Sequence, residues 1–401
     1  MKITKNLRFC ILSALFLLLV LSLFAQDYPK ASQEYDISFY SCPRDISPLP
    51  LSSRKKVKNI IFMIGDGMGV AHVDSARIKA CGANGRLHME RMPVTGLLKT
   101  HSHTHLVTDS AAAGTALAAG IKTFNGAISL NPDKKPFLTI LEASRNIGKS
   151  TGLAVTCAIT HATPAVFASH APSRNDQSDI APQLLENKVN VLLGGGKEFF
   201  IPKSQEGSKR KDERNLISEA KKAGYEVVET KDQMNRVSGN HVMGLFQMGH
   251  LKTVDPEPSL AEMTLKALDI LSKNKKGFFL MVEGSQIDWA GHANNPEYAI
   301  RETLLFDEAV YVALNFAQKS GDTLVVVTAD HETGGMSVVE GSLTGEDMKF
   351  GWTSKNHSAV QVPVYAFGPR ASLFTGVIDN VQVPRKFAEI FKISDFPKII
   401  P

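Results

Sequence analysis

Cysteine is scarce in this sequence, with four in 401 residues and no Cys-x-x-Cys pair. That excludes a disulfide-stapled mini-domain and argues against a thiolate zinc site or a redox dithiol. Internal repeats are absent, and no Pro/Gly/Ser-rich linker divides the chain. Charged residues make up 21% and hydrophobic residues 43%, which excludes a disordered tail protein, a collagen-like rod and a polytopic membrane protein. A strongly basic character is missing too. The formal charge is +5, and the charge-rich stretch 203–222 interleaves Glu206, Asp212, Glu213 and Glu219 with its bases. With no aromatic residues between the bases, it reads as a solvated surface element, and no nucleic-acid binding is expected.

The long apolar run that is present lies at the start. Lys2, Lys5 and Arg8 precede Phe9–Ala25, in which only Ser13 and Ser22 are polar. A basic segment, an apolar segment and a small residue before Gln26 are the parts of a secretory signal peptide. An uncleaved anchor is the rival reading, but a span usually takes about 20 apolar residues. Residues 1–25 are therefore expected to be removed, leaving a single domain over 26–401 with a charge of +2. Cys10 is badly placed for lipidation, and Ile393–Pro401 is too short for a lipid-anchor signal. A periplasmic or secreted protein without a membrane anchor is expected. Export permits disulfides. Cys42, Cys81 and Cys157 remain, an odd number. Cys157, in the apolar run Leu153–Ile159, reads as a buried free thiol. Whether Cys42 and Cys81 pair stays open.

Short β-branched runs recur at the intervals of an α/β protein: Val57–Ile64, Gly152–Cys157, Val189–Leu193, Phe278–Val282, Leu324–Thr328 and Val362–Phe367. Most are apolar without alternation, as in strands covered on both faces. Helical patterns lie between them. Ser259-Leu-Ala-Glu262 is a capping box ahead of Met263, Leu265, Leu268 and Leu271. The alternation predicts a mainly parallel sheet with helices on both faces, a three-layer α/β/α sandwich. Ligands then belong at the carboxyl ends of the strands.

The chemistry-bearing residues sit at those ends. Asp66 closes the first run in Gly65-Asp-Gly-Met-Gly69, where Val70 replaces the third glycine of a dinucleotide fingerprint, so that reading fails. Glu283, Asp288 and His292 follow the run Phe278–Val282, and the i, i+4 spacing puts Asp288 and His292 on one side of a helical turn. Asp330-His331 closes Leu324–Thr328. Any one cluster could be a polar turn. Three carboxylate/histidine clusters at buried strand ends predict a polynuclear metal centre. Thr108-Asp-Ser-Ala111 opens a helix of small residues, with Asp109 or Ser110 as its cap. A helix start also favours phosphate, and a serine near zinc needs no histidine base. No Gly-x-Ser-x-Gly elbow is present. His101, His103 and His105 alternate, which would put them on one face of a strand; exposed or hydrogen-bonded roles are expected. Gly194-Gly-Gly196 reads as a strand-end turn, and His170 is left between a supporting role near the centre and none.

Gly65-Asp-Gly-Met-Gly69, Thr108-Asp-Ser-Ala111, His161-Ala-Thr-Pro164, Glu283 to His292, Thr328-Ala-Asp-His331 and Asn356-His-Ser358 stand in the order that the alkaline phosphatase family has. The resemblance runs from about Lys58 to Pro369. It implies one zinc held by Asp288, His292 and His357, and a second by Asp66, Asp330 and His331. A magnesium-type site would use Asp66, Thr163 and Glu283. Ser110 would be the nucleophile and Arg174 the guanidinium that grips phosphate, with Asp109, His161 and Trp289 in support. One bacterial branch has Asp in place of His161 and Lys in place of Trp289, which bears on the third metal and on phosphate affinity. Only 25 residues separate His331 from His357, too few for the large crown insertion of the vertebrate enzymes.

These residue types suit that chemistry on their own terms. Imidazole and carboxylate suit zinc, and an all-oxygen set suits magnesium. Two metals about 4 Å apart can hold both oxygens of an in-line displacement. Arg174 offers a planar fork that lysine lacks. The expected activity is hydrolysis of small phosphate monoesters through a phosphoserine, with two zinc ions and one magnesium ion. A phosphodiesterase of the same superfamily, and a metal- or phosphate-binding protein without turnover, are the alternatives. Homodimerisation is common in the family, but no interface is legible.

Overall fold

The structure is a computed structural model that describes residues 35–51 and 56–400. The expected signal peptide, residues 1–25, lies outside them. In chain order the strands are β1 (Asn59–Gly65), β2 (Val94–Lys99), β3 (Ser150–Ala158), β4 (Val191–Gly195), β5 (Glu226–Val228), β6 (Val242–Leu245), β7 (Phe278–Gly284) and β8 (Thr323–Thr328). Then come the short β9 (Glu332–Thr333), β10 (Met336–Glu340), β11 (Lys349–Trp352) and β12 (His357–Ser358), followed by β13 (Val362–Phe367) and β14 (Gly376–Asp379). Ten of them build one sheet in the order β14-β2-β13-β8-β1-β7-β3-β4-β6-β5. Only β13 runs antiparallel to its sheet neighbours. The sheet is mainly parallel, as the alternation of runs and helical patterns predicts.

Every residue of β1, β7 and β8 is buried, which is why these strands read as unbroken apolar runs. Phe278 and Phe279 show what covers the two faces. Successive strand residues point to opposite sides. Phe278 meets Phe316 on helix α6 (Pro296–Ser320). Phe279 meets Phe167 of α3 (Ala162–Ala168) and Phe387 of α7 (Gln382–Phe391). Phe62 of β1 packs edge-on against the same two rings, at 6.2 and 5.2 Å. Removing it would leave a cavity at the centre of that layer, at a cost of about 3–5 kcal/mol.

The other helices used below are α1 (Val70–Cys81), α2 (Ser110–Ala119), α4 (Leu260–Leu271) and α5 (Gln286–Ala293). The capping box forms at α4: Glu262 N–H donates to Ser259 Oγ and Ser259 N–H to Glu262 Oε2. The 25 residues between His331 and His357 form β9 and the β10–β11 hairpin, with no added domain. A disulfide joins Cys42 to Cys81, and Cys157 is free and buried.

Candidate metal centre

Strand register brings the carboxylates to one level. Ile64 of β1 lies opposite Glu283 of β7 and Thr328 of β8. Two residues further on, Asp66 is level with Asp330. The turn after β1 must then pass close to α5. Gly67, at φ +76°, allows this, because a Cβ there would stand 2.6 Å from the Asp288 Cα. Gly67 N–H also donates to Asp330 Oδ1 at 3.2 Å, which ties the two strand ends together.

Asp288 and His292 share one side of α5, as their spacing requires, and His357 reaches them from β12. The Nε2 atoms of His292 and His357 stand 3.2 Å apart, each 3.3 Å from Asp288 Oδ1. The Nδ1 of His292 faces the Lys355 carbonyl at 2.6 Å, and that of His357 faces the Thr108 carbonyl at 2.8 Å. Those carbonyls fix the hydrogens on Nδ1, so neutral rings aim two nitrogen lone pairs at one carboxylate oxygen. Only a cation, a proton or a metal, reconciles the three. Burial would lift Asp288, but the hydrogen bonds from His292 and His357 outweigh it and hold the carboxyl well below its usual range. Burial lowers His357, yet Asp288 more than reverses this.

Asp66, Asp330 and His331 form the second group. The His331 Nε2 is 3.4 Å from Asp66 Oδ1 and 3.2 Å from Asp330 Oδ2, and all three residues are fully buried. Neither of those carboxylate oxygens has a hydrogen-bond partner. Ser110 Oγ lies 3.2 Å from the same Nε2. Burial, then neighbouring carboxylates, push Asp66 well up; burial and Asp288 bring Asp330 to about 6. Burial holds His331 neutral. A neutral imidazole and unpartnered carboxylate oxygens converging in a dry site are a donor set for a metal such as zinc.

Thr333, which the sequence reading passed over, links the two groups. Its hydroxyl donates to Asp288 Oδ1 at 2.5 Å and stands 3.2 Å from His331 Nδ1. With its one hydrogen spent on Asp288, it accepts from Nδ1–H and leaves the Nε2 lone pair of His331 facing Asp66, Asp330 and Ser110.

The Thr163 hydroxyl is 3.4 Å from Asp66 Oδ2. Glu283 is fully buried with Oε1 unpartnered, and its carboxyl is lifted to about 8 by burial and Asp330. On the opposite side, Arg174 donates to Asp109 Oδ2 and to His161 Nε2, both at 3.2 Å. Asp109 is the cap of α2, since its Oδ1 accepts from Ala112 N–H at 2.9 Å, and Ser110 is the first helical residue. One side chain thus caps the helix and holds the guanidinium. Trp289 is buried, its ring 4.7 Å from His250 and 6.4 Å from His161.

The alternating histidines differ from the strand reading. β2 ends at Lys99; Ser102 N–H then donates to the His105 carbonyl and His103 N–H to that of Thr123, so the backbone turns instead of pairing. His101 faces Asp379 at 3.4 Å, His103 packs on Phe124, and His105 bonds Thr104. His170 holds Glu142 and the Ser129 carbonyl. Gly194 and Gly195 end β4, and Gly196 makes the turn after it at φ +92°.

Residues 57–349 and 342–393 match the family described as Alkaline phosphatase. Alkaline phosphatase 4 of Bacillus subtilis is 37% identical over an alignment of 422 positions, which covers 84% of this chain and 90% of that protein. The solved alkaline phosphatase of the Antarctic bacterium TAB5 is 34% identical, covers 85% of this chain and all of its own, and superposes with a TM-score of 0.76. A mutant of the TAB5 enzyme with magnesium bound in its M3 site is 33% identical, with a TM-score of 0.77 over 86% of this chain and all of its own.

Proposed function

The chain belongs to the alkaline phosphatase family, and from that premise we propose that it is an exported phosphate monoester hydrolase acting through a phosphoserine at Ser110. It is an enzyme of the alkaline phosphatase type and uses metal cofactors. The observation that carries the finer reading is the position of Ser110: its Oγ lies 3.2 Å from His331 Nε2, at the start of a helix and beside unpartnered buried carboxylates.

Zinc at the two histidine-bearing groups, and magnesium at Asp66, Thr163 and Glu283, would supply Lewis-acid charge to the oxygens that attack and leave. The chain's own part is positioning. Arg174, held by Asp109, directs its fork toward the phosphoryl oxygens, and the first turn of α2 adds its N–H groups and dipole. Ser110 Oγ attacks phosphorus, its proton passes to solvent, and the ester P–O bond breaks with its electron pair on the departing oxygen, which takes up a proton. Water then displaces Ser110 from the phosphoserine, releasing inorganic phosphate and restoring the hydroxyl. His331, kept neutral by burial and oriented by Thr333, keeps a lone pair on the nucleophile's side. Of a phosphorylated substrate, these residues address only the phosphoryl group.

Export is supported by the basic and apolar pattern of residues 1–25 and by the Cys42–Cys81 disulfide, which suits an oxidising compartment. No helix of the described residues is long and apolar enough to cross a membrane. The deciding assay compares an aryl phosphate with a bis-aryl phosphate, with zinc and magnesium supplied or chelated. Faster monoester turnover, lost on chelation and restored by the metals, is expected. Faster diester turnover, indifference to chelation, or metal uptake without hydrolysis would overturn the reading.

A further inference from the structure

Cys157 lies one residue from the end of β3, two residues beyond Val155, which stands opposite Glu283 of the neighbouring β7. Its Sγ is 3.5 Å from Glu283 Oε2. A ring nitrogen of His161 completes the group, with all three donor atoms within 4.8 Å of one another. Cys157 and Glu283 are fully buried and His161 is 5% exposed. A thiol–carboxylate hydrogen bond accounts for Cys157 alone. It leaves Glu283 Oε1 and His161 Nδ1 buried without partners, an arrangement that costs about 1–3 kcal/mol for each such group unless something fills it. Sulfur at about 2.3 Å and oxygen at about 2.1 Å from a tetrahedral ion stand about 3.6 Å apart, close to the separation here.

We propose that Cys157, His161 and Glu283 form a sulfur-containing cation site that gives the third metal position of this chain a preference for a soft divalent ion such as zinc. The proposal rests on the metal-dependent reading above through Glu283, which the oxygen set with Asp66 and Thr163 shares, and it replaces magnesium by zinc at that one position. On binding, the thiol loses its proton to solvent and the thiolate takes the metal. Arg174 now donates to His161 Nε2, which keeps the hydrogen on Nδ1. Ligation through either nitrogen breaks that contact, so filling the site releases one arm of the guanidinium while Asp109 keeps the other.

The test uses the exported protein, in which Cys157 is the one free thiol outside the disulfide once residues 1–25 are removed, loaded with zinc and examined by X-ray absorption at the zinc edge. A sulfur scatterer at about 2.3 Å is expected, absent in Cys157→Ala, together with about one metal equivalent fewer per chain. Cobalt(II) in place of zinc should give a thiolate charge-transfer band that the same substitution removes. Only nitrogen and oxygen scatterers, with no such band, would overturn the proposal, and the zinc-edge measurement on the unsubstituted exported protein decides even if Cys157→Ala fails to fold. Failure of the phosphatase reading would appear separately, as absent aryl phosphate hydrolysis whatever the spectrum.

Discussion

The Nε2 atoms of His292 and His357 face each other across 3.2 Å, with the hydrogen of each ring committed to a carbonyl on its far side. Two lone pairs and Asp288 Oδ1 therefore share one gap. In metal-free protein a proton must fill it, and His357 is accordingly raised above its ordinary range by Asp288, against its burial.

That arrangement sets a pH dependence for the metal-free protein. His357, Glu283 (about 8) and Asp66 all have folded-state values above their unfolded ones. Groups of this kind stabilise the fold below the unfolded value and lose that contribution as pH rises through the folded one. His331 and His161 are lowered and act in the opposite sense, but only below about pH 6.5. Between pH 7 and 8 the titration of Glu283 alone should lower the melting temperature of chelated protein by about 2 °C, with the Lys149 ammonium, lowered to about 8 by burial, opposing any further fall toward pH 9, while metal-loaded protein stays level. Scanning calorimetry at pH 7 and pH 8 checks this; a flat profile without metal would contradict it.

Thr333 should matter although it touches no substrate. Thr333→Val removes the donor to Asp288 and the acceptor for His331 Nδ1. A loss of about 10–100-fold in zinc affinity and a parallel loss in activity are expected, largely restored by Thr333→Ser. Equal zinc affinity in Thr333→Val would show that the hydroxyl orients nothing.

Arg174→Lys keeps the charge but loses the fork. KM and the inhibition constant for inorganic phosphate should both rise by about 10-fold, since binding of the phosphoryl group is what weakens. Asp109→Asn, which loosens the same guanidinium, should shift both in the same direction. Unchanged phosphate inhibition in Arg174→Lys would remove the residue from the phosphate site.

The disulfide spans a sequence separation of 39. Loop-closure entropy for that length is worth about 4 kcal/mol. Reduction should lower the melting temperature by about 5 °C, and Cys42→Ser should match reduced wild-type protein. No shift on full reduction would contradict this.

Strands covered on both faces were legible because Asn59–Gly65, Phe278–Gly284 and Thr323–Thr328 bury every side chain and so keep polar residues to their ends. Val94–Lys99 alternates buried and exposed positions over only six residues, and Glu226–Val228 and Val242–Leu245 are shorter still, so pattern alone did not mark them. Asp66, Asp330 and Glu283 could be found because chemistry gathers at strand ends. Asp109 and Ser110 are both good caps, and only the hydrogen bond to Ala112 N–H separates them. Thr333 carries no sequence signal, since its partner Asp288 lies 45 residues away. The pairing of Cys42 with Cys81 is likewise a matter of where the chain returns.

The most direct measurement is to incubate the metal-loaded enzyme with an aryl phosphate, quench in acid and map phosphate by peptide mass spectrometry. Phosphate should appear on Ser110 and on no other side chain, and Ser110→Ala should lose about 10³-fold or more in turnover. Phosphate on a different residue, or turnover in Ser110→Ala equal to that of the wild type, would contradict Ser110 as the nucleophile.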